Sequence, residues 1–155
     1  MRYIDILKEG VNQRKHESQM STKEKKNIKK RLKSNLKWEV NNHTLKRISE
    51  KNIGASIPKV ISQIKDCKII EYKIDKVKLG DESFYDERVL IRGNEIIIRG
   101  KDKYQLNVVF SLTTRSLVTV WLNHVEDTHK TLDWDLYNGN MIVPIANVQR
   151  LNGRK

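Results

Sequence analysis

The sequence contains few of the residues that build cross-linked, metal-stabilised or cofactor-binding folds: one cysteine, two prolines and seven glycines among 155 residues. A single cysteine, Cys67, cannot form an internal disulfide, and a four-ligand zinc site would need scattered histidines. We expect Cys67 to be a buried, unreactive thiol, because Ile69 and Ile70 follow it and no histidine is close in sequence. Gly93 and Gly100 are isolated turn glycines rather than a phosphate-binding loop. The expected fold therefore depends on packing alone, without cofactor or metal.

Long apolar runs are also missing. No stretch approaches the roughly 18–20 consecutive apolar residues that a membrane span requires. The segment Met1–Asp5 lacks the apolar region of a secretory signal peptide. These absences predict a cytoplasmic protein with no membrane partner. With 37% hydrophobic and 32% charged residues, the chain can bury a modest core.

Acidic residues are too few to balance the basic ones. The chain has 31 Lys and Arg against 19 Asp and Glu, a formal net charge of +12. Residues 1–37 hold 12 basic and 4 acidic residues, whereas residues 38–155 hold 19 and 15. This asymmetry predicts two regions, a basic helical extension over 1–37 and a domain over 38–155. A polyanion such as nucleic acid is the expected partner.

The extension contains a predicted helix over Thr22–Lys37, with a shorter one over Arg2–Glu9. Ser21 and Glu24 have the spacing of a capping box, and no Gly or Pro interrupts the segment that follows. Its apolar stripe is thin, and most of its surface is lysine. A solvated basic helix without a partner is the alternative to a polyanion-binding one. The candidate RNA-binding residues of this helix are Lys26, Lys29, Lys30 and Lys33.

The remaining region is predicted to be α+β, with two helices followed by a four- to five-stranded antiparallel sheet. Asn42 and Ser56 are positioned to cap helices over His43–Asn52 and from Ser56 to about Asp66. Short links between apolar runs favour a meander. The predicted strands are Lys68–Asp75, Arg88–Arg92, Glu95–Arg99, Gln105–Leu112 and Ser116–Leu122. Lys76–Asp86 is predicted to be a loop that covers or flanks a site.

Alternation along these strands separates an apolar face from an unusual polar one. The apolar set includes Val89, Ile91, Ile96, Ile98, Val108, Phe110 and Val120. The polar set is Arg88, Arg92, Ser111, Thr119, Trp121 and Asn123, joined by Glu95 and Arg99. Two neighbouring guanidiniums are unfavourable unless an anion lies between them, so this face is a candidate phosphate site. An ordinary solvated sheet face is the alternative.

The order of these motifs resembles a known group of enzymes. His43, Leu45 and Arg47 lie on a helix ahead of a meander that contains Arg88–Arg92 and ends with Leu117–Trp121. This arrangement resembles the small helix-then-sheet endoribonucleases of the barnase, EndoU, colicin and RelE-like group. The resemblance covers residues 38–137, and its last part is similar to an ending found in phage-carried proteins. It implies a metal-independent endoribonuclease, toxin-like or phage-encoded.

The resemblance assigns roles to particular residues. Cleavage by attack of the 2′-hydroxyl needs an acid, a base and fixed positive charge at the phosphate. His43 would supply the acid or base, because histidine exchanges protons near neutral pH. Arg88 and Arg92 would clamp the phosphate, and Thr119 would donate a hydrogen bond. The further RNA-binding candidates are Lys46, Arg47 and Ser111, with Trp121 and Tyr85 as platforms for base stacking.

Other interpretations stay open. His124 and His129 are five residues apart in an acidic segment, and this spacing is not typical of a metal site. His129 is an alternative candidate for a second catalytic residue. Two functions are alternatives to an endoribonuclease: a non-catalytic nucleic-acid-binding module, and a regulatory protein that docks on an acidic host protein. A toxin of this type would have an acidic antitoxin or immunity protein as its partner.

Overall fold

The computed structural model describes residues 13–35, 37–50, 53–126, 136–141 and 143. Over these ranges the chain is α+β, with three α-helices and a six-stranded antiparallel sheet. None of the described helices combines the length and apolar character needed to cross a membrane. The helices are α1 (Thr22–Ser34), α2 (Asn42–Glu50) and α3 (Ile57–Ser62). The strands are β1 (Arg14–His16), β2 (Lys68–Leu79), β3 (Glu82–Arg92), β4 (Ile97–Arg99), β5 (Asp102–Ser111) and β6 (Ser116–His124).

Helix α1 begins at the predicted capping box. The Ser21 hydroxyl accepts from the Glu24 amide at 3.1 Å, and the Glu24 carboxylate accepts from the Ser21 amide at 2.9 Å. These two bonds satisfy amides that the first turn of a helix otherwise leaves without partners. The helix ends at Ser34, three residues before the predicted end. The two helices predicted after Trp38 are also present, the first as α2 and the second as α3 followed by a 3-10 turn over Gln63–Asp66.

The sheet is a meander with one added edge strand. β1, β2, β3 and β5 are neighbours in that order, and β5 also pairs with β4 and β6. Asn107 of β5 pairs with Arg92 of β3 and with Trp121 of β6, so β3 and β6 lie on opposite sides of β5. Beyond β6, Glu39 forms a parallel bridge to Ser116. β6 is therefore the edge of the sheet against which α2 packs.

The helices cover one face of the sheet and form the core with it. Fully buried side chains from both layers meet there, among them Ile28, Leu32, Val60, Val89, Ile91, Val108 and Phe110. The sheet residues in this set alternate along β3 and β5, as a half-covered antiparallel sheet requires. We call the helix-covered side the core face and the opposite side the polar face.

A separate helical extension over residues 1–37 is not confirmed. Ile28 and Leu32 of α1 are completely buried in the common core, and β1 pairs with β2 over three residues. Lys15 of β1 donates to the buried Glu24 of α1 at 3.0 Å and to the Met141 carbonyl at 2.9 Å. Residues 13–35 are therefore integrated with the sheet. The predicted helix Arg2–Glu9 lies outside the described residues.

The predicted loop over Lys76–Asp86 is wrong. β2 and β3 continue through this segment as a long hairpin whose pairing extends to Leu79 and Glu82. Gly80, with a φ of 63°, makes the tight turn, a conformation that costs glycine little. The sequence of this segment suggests a loop because it contains Gly80, Ser83 and three acidic residues. Beyond the core, however, strand pairing needs no apolar face.

The predicted orientation of β4 is also wrong by one residue. Ile96 and Ile98 are 47% and 67% exposed, whereas Ile97 packs against the core. Arg99 consequently lies on the core face, where its Nη2 donates to the Ile53 carbonyl at 2.7 Å. Glu95 is likewise drawn to the helix layer, since its carboxylate lies 2.6 Å from Lys59 Nζ of α3. A shift of one residue moves every side chain of a strand to the other face.

Candidate nucleic-acid interface

The polar face collects five of the predicted site residues. Strand register aligns Arg88 with Ser111, Val109 with Thr119, and Arg92 with Asn107 and Trp121. Arg88 and Arg92 alternate with the buried Val89 and Ile91, so their side chains leave the sheet on the side away from the helices. The alternation in the sequence therefore placed Arg88, Arg92, Ser111, Thr119 and Trp121 on one face, as predicted.

Arg88 and Ser111 are bound to a buried carboxylate. Arg88 Nε lies 2.7 Å from Asp86 Oδ2, and the Ser111 hydroxyl donates to Asp86 Oδ1 at 2.5 Å. Asp86 is only 2% exposed, and Ser111 Oγ also accepts from the Thr114 amide at 3.0 Å. Asp86 therefore offsets the charge of Arg88, and Ser111 holds Asp86 in position. Asp86 itself was not among the predicted site residues.

Arg92 belongs to a different part of the same face. Four residues separate it from Arg88, which is about 13 Å along an extended strand. Arg92 Nε donates to Asn107 Oδ1 at 3.4 Å, and Arg92 lines a cavity of about 250 Å³ together with Lys68 and Gln105. The backbone thus holds the two arginines apart, and Asp86 pairs with Arg88.

Helix α2 carries His43, Lys46 and Arg47, and all three side chains are exposed. Thr44 and Ile48 form its buried side, and Thr44 Oγ1 donates to the Val118 carbonyl of β6 at 3.3 Å. Because β5 lies between β6 and β3, α2 is at least about 10 Å across the sheet from Arg88. His43 makes no hydrogen bond or ion pair with any residue in the described ranges. The contacts of α2 therefore do not bring His43 to the arginines.

Tyr85 lies on the core face rather than beside Trp121. It pairs with Lys76 across the β2–β3 hairpin, and its half-buried ring packs against the core. The next residue, Asp86, is the one that turns to the polar face and binds Arg88. Tyr85 and Trp121 therefore lie on opposite faces of the sheet, and base stacking by either ring stays a prediction.

The remaining candidates are the lysines of α1. Lys23, Lys25, Lys26, Lys29, Lys30 and Lys33 form what we call the lysine row. At 100° per residue they occupy one continuous arc of the helix, opposite the buried Glu24, Ile28 and Leu32. Within the described part of the chain, none of the six is in an ion pair. The row is therefore a rigidly mounted surface of uncompensated positive charge.

The other two charged side chains of α1 point inward and are paired. Glu24 binds Lys15, and Arg31 donates through both terminal nitrogens to Glu87, each at 2.9 Å. Glu87 pairs with Ile74, a core residue, so α1 lies on the core-face side of the sheet. The lysine row and Arg88 are consequently on opposite sides of the sheet. One nucleic-acid strand cannot contact both without passing around an edge.

A further polar cluster, missed in the sequence, lies on the polar face at β1. Tyr137 donates to Glu71 Oε1 at 2.6 Å and packs edge-on against His16, with ring centroids 5.7 Å apart. Burial, followed by the bond to Glu71, raises the pKa of Tyr137 to about 12. His16 Nδ1 lies 2.9 Å from the Ser18 hydroxyl and accepts from the Ser18 amide at 3.2 Å. No sequence signal predicted β1, because three residues carry no periodicity.

Cysteine and histidine supply no metal centre in the described ranges. No group of three His, Cys, Asp or Glu side chains there is arranged to hold a metal ion. Cys67 is buried as predicted, and burial raises the pKa of its thiol. His124, at the end of β6, lies 3.4 Å from Asp102, and His129 is outside the described residues. Comparisons with protein-family models, curated proteins and solved structures found no match to this chain.

Proposed function

We propose that this protein binds nucleic acid, with RNA as the expected partner, through the lysine row of α1. A single observation carries the proposal: six lysines share one arc of a 13-residue helix, and no described carboxylate pairs with them. The only acid of the helix, Glu24, is buried against Lys15. A solvated helix of ordinary composition alternates charges of both signs, which α1 does not do.

The proposed mode of binding is contact with phosphates. The row is fixed by Ile28, Leu32 and the Arg31–Glu87 pair, so its positive charges need little ordering when a polyanion approaches. Lysine ammonium groups act as point charges and carry no base preference by themselves. Binding energy then comes from the release of condensed counterions, which makes affinity strongly dependent on salt.

The test removes four charges from the row. A variant with Lys26→Gln, Lys29→Gln, Lys30→Gln and Lys33→Gln keeps good helix formers at each position. We expect its affinity for a labelled single-stranded RNA, measured by fluorescence anisotropy at 100 mM salt, to fall about 10- to 100-fold. The slope of log affinity against log salt should become shallower by about 3, or about 0.7 for each phosphate that the variant no longer neutralises.

A matched variant removes the same charge elsewhere. Lys76, Lys78, Lys101 and Lys103 are all exposed, and none belongs to α1. Their replacement by Gln gives the same net charge and should change affinity and salt slope much less. Equal losses in the two variants would show that only total charge matters, and the lysine row would then not be the binding surface.

Cleavage of RNA stays a prediction. We propose its test with the same protein: incubation with total RNA in excess EDTA beside His43→Ala and Arg88→Ala. The endoribonuclease hypothesis expects end products from the unmodified protein and a loss of cleavage in both variants. Intact RNA in all three preparations, or equal cutting by all three, would leave binding without catalysis.

A further inference from the structure

A continuous groove leads from the end of the lysine row around the end of the sheet, where β2 begins and β3 ends. Three adjoining depressions form it, with volumes of about 340, 310 and 250 Å³. Lys65 lines both the first and the second, and Asp66 and Asn94 line both the second and the third. The groove therefore begins at Lys33, the last lysine of the row, and reaches Arg92.

The charges of the row also act on a residue of this groove. Burial raises the pKa of the Cys67 thiol, and the charges of Lys29 and Lys33 act in the opposite direction. Cys67 lines the third depression together with Arg92. Two lysines of the row are therefore near the part of the groove that holds Arg92.

The walls of the groove are rigid. One wall is the 3-10 turn Gln63–Asp66, and the other is the turn that follows β3 at Gly93. A β-carbon at Gly93 would collide with the side chain of Gln63, so the two walls touch. Gln63 is buried and donates to the Lys59 carbonyl at 3.1 Å, and the Gly93 amide donates to the Leu106 carbonyl at 2.8 Å. The charged side chains of the groove are therefore mounted on a fixed frame.

Four cations line the groove. Lys33, Lys65 and Lys68 are exposed, and Arg92 is half-buried. Lys68 and Arg92 are directly opposite each other on β2 and β3. Like charges in this position repel each other, and an anion bound between them removes the repulsion.

Nearby carboxylates do not cancel this charge. Glu17 lies 3.1 Å from Lys68, but the Lys68 side chain is 62% exposed, so solvent screens the pair and a phosphate can compete for the ammonium group. Glu95 lies 2.6 Å from Lys59. Asp66 is then the remaining acid of the groove, against Lys33, Lys65 and Arg92. The groove is therefore positive along its length.

We propose that a single nucleic-acid strand held by the lysine row continues through this groove and places a phosphate between Lys68 and Arg92. The inference rests on the proposed function and adds to it the path of the strand and a second set of phosphate contacts. Guanidinium and ammonium groups both bind phosphate oxygens. A duplex, with a persistence length of about 50 nm, is too stiff to turn around the end of the sheet. The contacts are to phosphates, so RNA and DNA strands both fit.

The experiment compares a short strand with a long one by fluorescence anisotropy. Lys23 and Lys33 are about 15 Å apart along the helix axis, so a tetranucleotide can lie on the row alone, whereas a dodecanucleotide can also fill the groove. Lys65→Gln with Lys68→Gln should weaken binding of labelled dodecauridylate about 3- to 10-fold at 100 mM salt and make the salt slope shallower by about 1.4. The affinity for tetrauridylate should change less than about 2-fold.

Two further variants control for charge and for folding. Lys101→Gln with Lys103→Gln removes the same charge from exposed positions outside the groove and should leave both affinities nearly unchanged. Lys65→Arg with Lys68→Arg keeps the charge and should bind like the unmodified protein. An equal loss for dodecauridylate in the two glutamine variants would overturn the groove. An equal loss for the short and the long strand in the Lys65 and Lys68 glutamine variant would mean that no strand runs from the row into the groove, and would overturn it as well.

A variant of the row separates this inference from the proposed function. Lys26→Gln with Lys30→Gln should weaken binding of both oligomers. That loss, combined with unchanged binding of dodecauridylate by the Lys65 and Lys68 glutamine variant, would overturn the groove and keep the lysine row. Absence of binding to every oligomer at low salt would overturn both.

The type of nucleic acid is tested with the same variants. Dodecathymidylate should lose affinity in the Lys65 and Lys68 glutamine variant as dodecauridylate does, and a loss confined to dodecauridylate would assign the groove to RNA. A duplex of the same length should be unaffected by this variant, because it cannot follow the groove. An equal loss for the duplex would overturn the proposed path of a single strand.

Discussion

At the scale of single residues, Glu87 is the acceptor on which the contacts between α1 and the sheet converge. Arg31 donates two hydrogen bonds to its carboxylate, and the hydroxyl of the fully buried Tyr72 donates a third at 2.5 Å. Burial alone would raise the pKa of Glu87. The bonds and charge of Arg31, with the Tyr72 bond, outweigh burial and hold the pKa below its ordinary value of 4.5. Glu87 is therefore ionised in the folded protein at neutral pH.

We predict that Glu87→Gln destabilises the fold in a pH-dependent way. At pH 7 the substitution leaves the buried Arg31 without its counter-charge and should cost about 3 kcal/mol of unfolding free energy. A carboxylate whose pKa is lowered by folding stabilises the protein above its unfolded pKa, and this contribution is lost as pH falls through the folded value. The gap between the two proteins in urea denaturation should therefore narrow below about pH 4.5.

The surface pair Lys59–Glu95 provides the control for this measurement. Its side chains are 45% and 43% exposed, so solvent screens the interaction. Glu95→Gln should leave the urea midpoint close to that of the unmodified protein at both pH 7 and pH 4. A gap for Glu87→Gln that stays constant across this pH range would mean that its ionisation is not linked to folding.

Residue identities on the polar face were predictable, whereas their pairing was not. Alternation alone assigns Arg88 and Ser111 to one face. The bond from Arg88 to Asp86 depends on β3 beginning at Glu82 rather than at Arg88. With that longer strand, Asp86 and Arg88 are two residues apart and share a face. Because the predicted strand began at Arg88, Asp86 was assigned to a loop. Its ion pair with Arg88, one of the two arginines expected to bind the phosphate, was therefore not predicted.

At the scale of elements, structure that depends on residues close together in the sequence was predicted well, whereas structure that depends on residues far apart in the sequence was not. Caps at Ser21 and Ser56 predicted helix starts because a cap is a contact between residues three apart in sequence. β1 depends on β2, more than fifty residues away, and on the Lys15 contact with Glu24. The outer part of the β2–β3 hairpin is held by backbone pairing around Gly80. β1 is too short to show apolar alternation, and although residues 76–79 do alternate, Gly80 and the acidic residues after it favour a loop.

The sequence also predicted the character of α1 more successfully than its place in the fold. Charge and capping predicted a basic helix with a narrow apolar stripe, and Ile28 and Leu32 are that stripe. Charge asymmetry then suggested an extension separate from the domain. Two fully buried residues and one arginine whose side chain is only 10% exposed make this lysine-rich helix part of the core, because each apolar side chain contributes about 1.5–3 kcal/mol when buried.

At the scale of the whole molecule, the net charge of +12 acts in opposite directions on stability and on the proposed function. Like charges concentrated on one helix repel each other and weaken the folded state, while the same charges attract a polyanion. Salt screens both effects, with a Debye length of about 10 Å at 0.1 M. Stability and affinity should therefore respond to salt with opposite signs.

We predict that the thermal midpoint of the unmodified protein rises between 20 and 300 mM sodium chloride, while its RNA affinity falls over the same range. The four-Gln variant of the lysine row should show a higher midpoint than the unmodified protein at 20 mM, because neighbouring repulsions are removed. That difference should shrink as salt increases. Differential scanning calorimetry and anisotropy on the same samples measure the two quantities. A lower midpoint for the variant at every salt concentration would mean that the lysines stabilise the fold. Stability would then explain why these lysines are present on α1, and their presence would no longer support a nucleic-acid partner.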